Sequence, residues 1–149
     1  MEHDDALRRA QAIMQHEFRN EALLTQALTA AHRVELEDGH FQSYENNRRL
    51  AGLGEIVMKL VLTEDWLLRN HSCAALSDLH VRLLSNHSLS VIATQSGIDS
   101  CILRSERLQY LTAVPPNTQC TTVKAIIGAV WRDTNGDQAT TRDVIANLG

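Results

Sequence analysis

The first candidates for chemistry are the acidic side chains of DTNGD, Asp133 to Asp137, which begins with the spacing of a calcium-binding loop. In such a loop a glycine stands at the sixth position, and a carboxylate closes the loop at the twelfth. Here the glycine comes two positions too early, and Val144 stands at the twelfth position. The segment therefore predicts an Asn-Gly turn and not a calcium site.

Histidine and cysteine side chains give no metal-binding pattern. The seven histidines are dispersed, and none stands with a cysteine or carboxylate at a ligand spacing. The three cysteines, Cys73, Cys101 and Cys120, are an odd number at wide spacings without a CxxC pair. We expect three buried free thiols in a protein of a reducing compartment, either the cytoplasm or the nucleus.

Basic side chains are the third kind of candidate. The net charge of −4 and the pI near 5.9 give the whole chain no attraction for nucleic acid. Five cations nevertheless give its middle part a basic character: Arg48, Arg49, Lys59, Arg69 and Arg82. They favour a solvated face over an RNA-binding stripe, so any RNA must bind to a local patch.

The elements that position these residues are expected to be helices of one domain. The 149 residues, of which 44% are hydrophobic, suffice for one core, so we expect a single domain over residues 1–149. Seven glycines and two prolines interrupt a sequence rich in helix formers, which predicts an all-α fold. No apolar run reaches the roughly 20 residues that span a bilayer, and the first residues are acidic and polar. We therefore expect neither a membrane anchor nor a secretory signal.

Apolar residues at helical spacing predict the individual helices. The longest helix is expected from Leu50 to Leu68. The others are expected within residues 18–31, 75–85, 88–97, 121–133 and 138–148, with Gly97 as a C-cap. Residues 35–47 and 111–119 are rich in Gly, Pro, Asn and Ser, and they predict loops.

Three separated segments resemble the endonuclease domain of the ribonuclease III family, and they occur in the family's order. They are LLTQALTAAHR (Leu23 to Arg33), NRRLAGLGEIV (Asn47 to Val57) and TVKAIIGAVWRD (Thr122 to Asp133). Between the last two, residues 76–98 are similar to the family's intervening helix pair. The resemblance implies a helical fold of ribonuclease III type over about residues 18–149. We expect no counterpart of the double-stranded-RNA-binding domain that many members carry.

The resemblance also implies where the family's metal ligands fall. Active members cut double-stranded RNA with magnesium held by four carboxylates, because the ions activate water and stabilise the entering and leaving oxygens. Here the four positions are Ala51, Glu55, Thr121 and Lys124, and a further acidic position falls on Arg48. Alanine has no ligand atom, threonine is a weak neutral ligand and lysine repels a cation. The resemblance therefore implies a degenerate site that holds no metal or other cofactor.

Two polar residues of the resembling segments have structural interpretations. Lys124 falls opposite Glu55, so we expect a charge pair where active relatives hold an ion. The alternative is a solvent-facing lysine on an amphipathic helix. His32 matches the His-Arg that ends the first motif, and we expect it to be a structural polar residue and not a catalyst.

The resemblance also bears on self-association. Family members form homodimers in which an aromatic side chain enters the partner subunit, and this aromatic falls on Gly52. A glycine fills no socket, and it instead predicts close packing of two helices. We still expect a homodimer, with Gly52, Leu53 and Ile56 at the interface, because the helix that carries them is long and apolar.

Three functions fit this sequence. The favoured one is a catalytically inactive ribonuclease III-like domain that acts as an RNA-associated or protein-interaction module, with structured RNA or a larger complex as partner. The second is a divergent nuclease whose metal site is rebuilt around Glu55 from acids such as Glu45, Glu64 or Asp133. The third is a structural subunit of a ribonucleoprotein assembly. Loss of the ligands favours the first over the second, because metal-dependent cleavage needs its carboxylates.

Overall fold

A computed structural model describes residues 2–105 and 113–149 of the chain. The helices in these residues are α1 (His3–Met14), α2 (Glu21–Leu28), α3 (Arg48–Leu68), α4 (Cys73–Leu84), α5 (Asn86–Ser96), α6 (Pro116–Asp133) and α7 (Gln138–Leu148). A 3-10 helix (Ile98–Cys101) follows α5, and two strands, β1 (His32–Glu35) and β2 (Phe41–Tyr44), precede α3. The fold is mainly helical, as the sequence predicts. Among the described residues, no helix combines the length and apolar character needed to cross a bilayer.

Helix α6 forms the centre of the hydrophobic core. Its residues from Gln119 to Val130 are buried on nearly all sides, and it packs against α2, α3, α5 and α7. A helix that is apolar around most of its circumference is stable only when neighbours cover it. The position of α6 is therefore fixed from several directions, and α3 packs against it more extensively than any other element does.

Helix α1 is an element that the sequence analysis did not predict. Its Ala6, Leu7, Ala10 and Met14 are buried against the core. These positions repeat at helical spacing, so the signal was present in the sequence. The many charged and polar residues between them obscured it.

The boundaries of the other helices agree with the sequence in most places. Gly97 ends α5 with φ 89°, a left-handed conformation that glycine adopts without strain. Helix α6 begins at Pro116 and not at Thr121, so part of the loop expected over residues 111–119 is helical. Proline is favoured at a first helical position because its missing N–H would have no partner there. Leu111 and Thr112 of that expected loop lie outside the described residues.

The loop expected over residues 35–47 is wrong in part, because β1 and β2 form an antiparallel hairpin there. Gly39, with φ 84°, supplies the turn, and the backbone N–H of Leu36 donates to the carbonyl of His40. His32 stacks on its cross-strand partner Tyr44 with ring centroids 4.7 Å apart. Polar turn residues and β-favouring Val, Phe and Tyr are mixed in this stretch, which hid the short strands.

Candidate functional site

Helices α3 and α6 cross with their backbones in close approach, and two glycines permit this. A Cβ atom at Gly54 would overlap the carbonyl oxygen of Lys124, and one at Gly128 would overlap the carbonyl oxygen of Leu50. Only a residue without a side chain fits at such a point. The crossing brings together the positions to which the sequence assigns the degenerate site.

Gly52 does not have the packing role expected from the sequence. A Cβ atom at this position would meet no atom within 4 Å, and the residue is exposed. Gly54, two residues further on, lies on the opposite face of the helix and is the glycine that faces α6. Both glycines belong to the same short run, and helical periodicity alone does not reveal which of them meets a neighbour.

The crossing holds an ion pair between the two helices. Nζ of Lys124 donates to Oε1 of Glu55 at 3.4 Å. The Lys124 side chain is 19% exposed and the Glu55 side chain is 46% exposed, so the pair lies at the edge of the core. The charge pair expected from the sequence is thus present in the structure, and the ammonium neutralises the only carboxylate of the four positions.

The other positions of the degenerate site supply no anionic ligand. Ala51 is buried in the hydrophobic core, with 7% of its surface exposed. The hydroxyl of Thr121 donates at 2.8 Å to the carbonyl of Asn117 in its own helix. Arg48 is exposed at the start of α3. The side chains of this set are thus two cations, a methyl group, a hydroxyl and one paired carboxylate.

Two of the acids proposed for a rebuilt metal site have cationic partners elsewhere. Glu45 pairs with Arg49 at 3.3 Å on the surface. Glu64 pairs with Arg142 at 3.7 Å and accepts from the amide of Gln138 on α7. Both carboxylates are therefore paired with arginines.

The third of these acids, Asp133, stabilises the fold. Its buried carboxylate accepts from the backbone N–H of Arg19 at 2.9 Å and of Asn20 at 2.8 Å. Nε2 of His16 lies 3.5 Å away. Asp133 therefore fastens the turn between α1 and α2 to the end of α6.

The three acids named for a rebuilt site thus have partners other than Glu55. Among the described residues, no group of three or more His, Cys, Asp and Glu side chains is placed to hold a metal ion. The DTNGD segment is a turn, because Asn135 and Gly136 adopt left-handed φ values of 53° and 81°. An ammonium beside a single carboxylate does not fit a magnesium ion, which needs several oxygen ligands.

A small cleft of about 80 Å³ lies beside the crossing, between the first turns of α3 and α6. It is lined by Ala31, Asn47, Arg48, Asn117, Thr118 and Thr121. Arg48 and Thr121 were identified from the sequence, and the two asparagines were not. Both asparagines stand at a helix start, which is the signal that would have pointed to them.

Asn47 is the most buried residue of this cleft, with 1% of its surface exposed. Its Nδ2 donates to the carbonyl of Ala27 and to the hydroxyl of Thr122, each at 3.1 Å. These two bonds fix the orientation of the amide. Within the described part of the chain, Oδ1 accepts no hydrogen bond.

The three residues expected at a dimer interface all lie on α3 but differ in exposure. Ile56 is 67% exposed, and Gly52 is also exposed. Leu53 is half-buried and packs partly on the core. Leu60 and Leu67 extend the exposed apolar surface along the same helix, at 40% and 66% exposure.

The cysteines differ from the sequence expectation in one respect. Cys101 and Cys120 are buried, whereas Cys73 is exposed at the start of α4, so the expectation of three buried thiols is wrong for Cys73. Burial raises the pKa of the Cys101 thiol and of the Cys120 thiol. The two buried thiols are therefore poor nucleophiles.

The basic residues of the middle part are all exposed. Arg48, Arg49 and Lys59 lie on α3, Arg69 follows its end, and Arg82 lies on α4. Of these, Arg49 has a carboxylate partner in Glu45. This arrangement is compatible with the solvated face that the sequence favours.

Comparison with known proteins places these features in a family. The sequence model of the ribonuclease III domain family matches residues 48–135, which include α3 and α6. Ribonuclease 3 of Rhodopirellula baltica is 27% identical over 130 residues. That match covers 85% of this chain and 46% of the relative, so the chain spans about half the length of that protein.

Two solved structures of the nuclease domain of ribonuclease III from Campylobacter jejuni have a similar fold. One superposes with a TM-score of 0.76 at 24% identity, covering 95% of each chain. The other has a TM-score of 0.73 at 26% identity, covering 95% of this chain and 92% of that one. The first was described for structural flexibility in the region involved in dimer formation of that domain.

Proposed function

Because the chain belongs to the ribonuclease III domain family, we propose that it is a non-cleaving member that associates with structured RNA. The observation that carries this proposal is the Lys124 ammonium 3.4 Å from the Glu55 carboxylate. Active relatives are expected to hold magnesium between carboxylates of these two helices. A cation fixed at this point by an ion pair opposes the entry of a second cation.

The alanine at position 51, where the resemblance implies a carboxylate, supports the same proposal through its packing. A metal ligand at this position must reach the crossing, whereas Ala51 contributes its methyl group to the core. The domain needs neither magnesium nor another cofactor in this proposal. RNA is bound for assembly or presentation and not for hydrolysis.

Cleavage and binding assays on the full chain test this proposal. We expect double-stranded RNA to remain intact with magnesium or manganese, while an active ribonuclease III cuts the same RNA in a parallel reaction. The same RNA is expected to shift in a native gel with the protein. Cleavage that disappears in Glu55→Ala would contradict the proposal, as would the absence of any RNA association.

We further propose that the domain forms a homodimer through the exposed face of α3. The three exposed apolar side chains Ile56, Leu60 and Leu67 support this, because a continuous apolar surface favours a covered state. The dimer-forming region named for the Campylobacter jejuni domain is in keeping with it.

Light scattering after gel filtration measures the mass directly. We expect twice the 16.6 kDa of one chain at tens of micromolar, and a single-chain mass for Ile56→Glu. The control is Leu36→Glu, which adds the same charge to an exposed apolar site in the hairpin region. A wild-type mass of one chain at this concentration would end the dimer proposal.

A structural role in a ribonucleoprotein assembly is the second candidate, and the hairpin favours it. Phe41 is 55% exposed, and Val34 and Tyr44 are 39% and 41% exposed. An isolated two-stranded hairpin is marginal in water, so a protein partner that covers it would stabilise it. Such an assembly is proposed for the cytoplasm or the nucleus, in keeping with the free thiols. Co-purification from cells with identification of bound RNA and protein, compared with Phe41→Ser, tests this role.

A further inference from the structure

The cleft between the first turns of α3 and α6 has features of an anion site. Its volume of about 80 Å³ is on the scale of a single phosphate group. It is bordered by the starts of a 21-residue helix and an 18-residue helix. The first turn of a helix presents backbone N–H groups and the positive end of the helix dipole to a bound anion.

Neither of these two helix starts is capped by a side chain. Asn47 precedes α3 and Pro115 precedes α6, and in both cases no side-chain hydrogen bond to the first turn is formed. By contrast, a side chain caps α2, α4, α5 and α7. The Arg48 N–H donates to the carbonyl of Glu45 and Pro116 has no N–H, so the first-turn N–H groups that remain available at the cleft are those of Asn117 and Thr118.

Arg48 gives the cleft a cation that is not neutralised. Arg49 is paired with Glu45, and Lys124 is paired with Glu55. Among the described residues, no carboxylate lies within ion-pair distance of the Arg48 guanidinium. A guanidinium binds phosphate oxygens through two parallel N–H bonds.

Asn47 supplies the second, independent sign of a ligand. Both hydrogen-bond donors of its amide are directed into the protein, toward Ala27 and Thr122. Oδ1 is thus a buried acceptor without a donor on a side chain that lines the cleft. A buried acceptor of this kind is stabilised when a hydroxyl donates to it.

We propose that this cleft binds a phosphate group of RNA directly, without a metal ion. Arg48 and the free N–H groups of Asn117 and Thr118 hold the anionic oxygens. Oδ1 of Asn47 accepts from a hydroxyl beside them, which in RNA is the ribose 2′-hydroxyl. Arg48, which stands where the resemblance implies an acid beside the metal ligands, thus supplies a positive charge that favours phosphate over a cation. The RNA part of this inference rests on the proposed function.

Titration with inorganic phosphate tests the cleft without RNA. We expect the amide NMR signals of Asn117 and Thr118 to shift in a saturable manner. Arg48→Ala is expected to weaken phosphate binding by about 5- to 10-fold, since it removes a charged hydrogen-bonding group. The control Arg49→Ala removes the same charge one residue away and should bind as the wild type does. Unshifted amides, or equal weakening by both variants, would overturn the proposal.

Sulfate tests the role of Asn47, because at neutral pH it has the anionic oxygens of phosphate but no hydroxyl. We expect phosphate to bind more tightly than sulfate, and equal affinities would refute the assignment of Oδ1 as an acceptor. A double-stranded RNA and the DNA of the same sequence form the last pair of probes, and the RNA is expected to bind more tightly because only RNA has the 2′-hydroxyl. RNA binding that is insensitive to Arg48→Ala refutes the cleft site and leaves the proposed function intact. Phosphate binding at the cleft without any RNA binding refutes the proposed function and leaves the anion site intact.

Discussion

Nζ of Lys124 lies 3.4 Å from Oε1 of Glu55, and the ion pair joins α6 to α3 beside the point where their backbones cross. The lysine is mostly buried, whereas nearly half of the glutamate surface is open to solvent. Solvent screens such a pair more than a fully buried one, but less than a pair on a flexible surface. The pair is therefore expected to make a small and measurable contribution to stability.

Replacement of Lys124 by alanine is expected to lower the free energy of unfolding by about 0.5–1.5 kcal/mol, because it leaves Glu55 without its cation. The double variant with Glu55→Ala should cost less than the sum of the single changes, by about 0.5–1 kcal/mol. Urea unfolding of the four proteins measures this coupling. The Arg49–Glu45 pair, with both side chains more than half exposed, is the control and should give a smaller coupling. Strict additivity at Lys124 and Glu55 would show that the pair is energetically silent.

The three glycines of α3 and α6 should respond in opposite ways to alanine. Gly54→Ala or Gly128→Ala forces the helices apart, because the new methyl group overlaps a backbone carbonyl, and about 3 kcal/mol or more is expected. Gly52→Ala fills open space in a helix and should stabilise by about 0.5–1 kcal/mol. Denaturant midpoints at a protein concentration below that of dimer formation compare the variants. A stabilising Gly54→Ala would mean that the helices do not cross as closely as described.

The helical part of the fold was predictable because its apolar residues follow helical spacing. Residues 138–148 are a clear case, in which Val144 and Leu148 face the core and Asp137 caps the start. The hairpin was not predictable in the same way, since all its strand residues except His32 are exposed and no burial pattern marks them. Exposed strands are defined by hydrogen bonds between backbones, which leave little trace in a single sequence.

The site was predictable in its residue types and less so in its geometry. The position of Lys124 opposite Glu55 followed from the resemblance, and the ion pair is formed. The close packing predicted for Gly52 occurs instead at Gly54, because it depends on which face of α3 meets α6. Oδ1 of Asn47 has no donor because the amide group is oriented by the hydrogen bonds of Nδ2 to Ala27 and Thr122. These residues belong to separate segments of the chain, so the sequence does not reveal the contact.

The cysteines should differ strongly in their reaction with alkylating reagents. The exposed Cys73 is expected to react at neutral pH, whereas Cys101 and Cys120 should react only after unfolding, because burial raises their pKa values and blocks access. Mass spectrometry of the native protein after brief iodoacetamide treatment counts the modified thiols. The Cys73→Ser variant should remain unmodified under the same conditions, and modification of this variant would contradict the burial of the other two.

The cap of α7 should add a pH-dependent term to stability. The carboxylate of Asp137 accepts from the backbone N–H of Thr140 at 3.2 Å, and this bond lowers the pKa of Asp137. A carboxyl group with a lowered folded pKa contributes stability above its unfolded pKa and loses this contribution as the pH falls through the folded value. Asp137→Asn keeps the capping geometry without the charge. We therefore expect the stability difference between wild type and Asp137→Asn to shrink from pH 6 to about pH 2, and a constant difference would contradict the cap.

The last prediction concerns the attempt to restore a metal site through Ala51→Glu, Thr121→Asp and Lys124→Glu. Because Ala51 is 7% exposed and packs in the core, the glutamate must enter an apolar contact region or displace its neighbours. The triple variant also removes the cation that faces Glu55 and adds three carboxylates around it. Repulsion and desolvation should then lower the free energy of unfolding by about 3 kcal/mol or more without metal.

Thermal unfolding of the triple variant with EDTA and with millimolar magnesium or manganese separates the loss of stability from metal binding, and the control is Lys124→Glu alone. A triple variant as stable as the wild type in EDTA would show that Ala51 is not constrained by packing. A rise in melting temperature with metal that the control lacks would show that the crossing still has the geometry of an ion site once its ligands return.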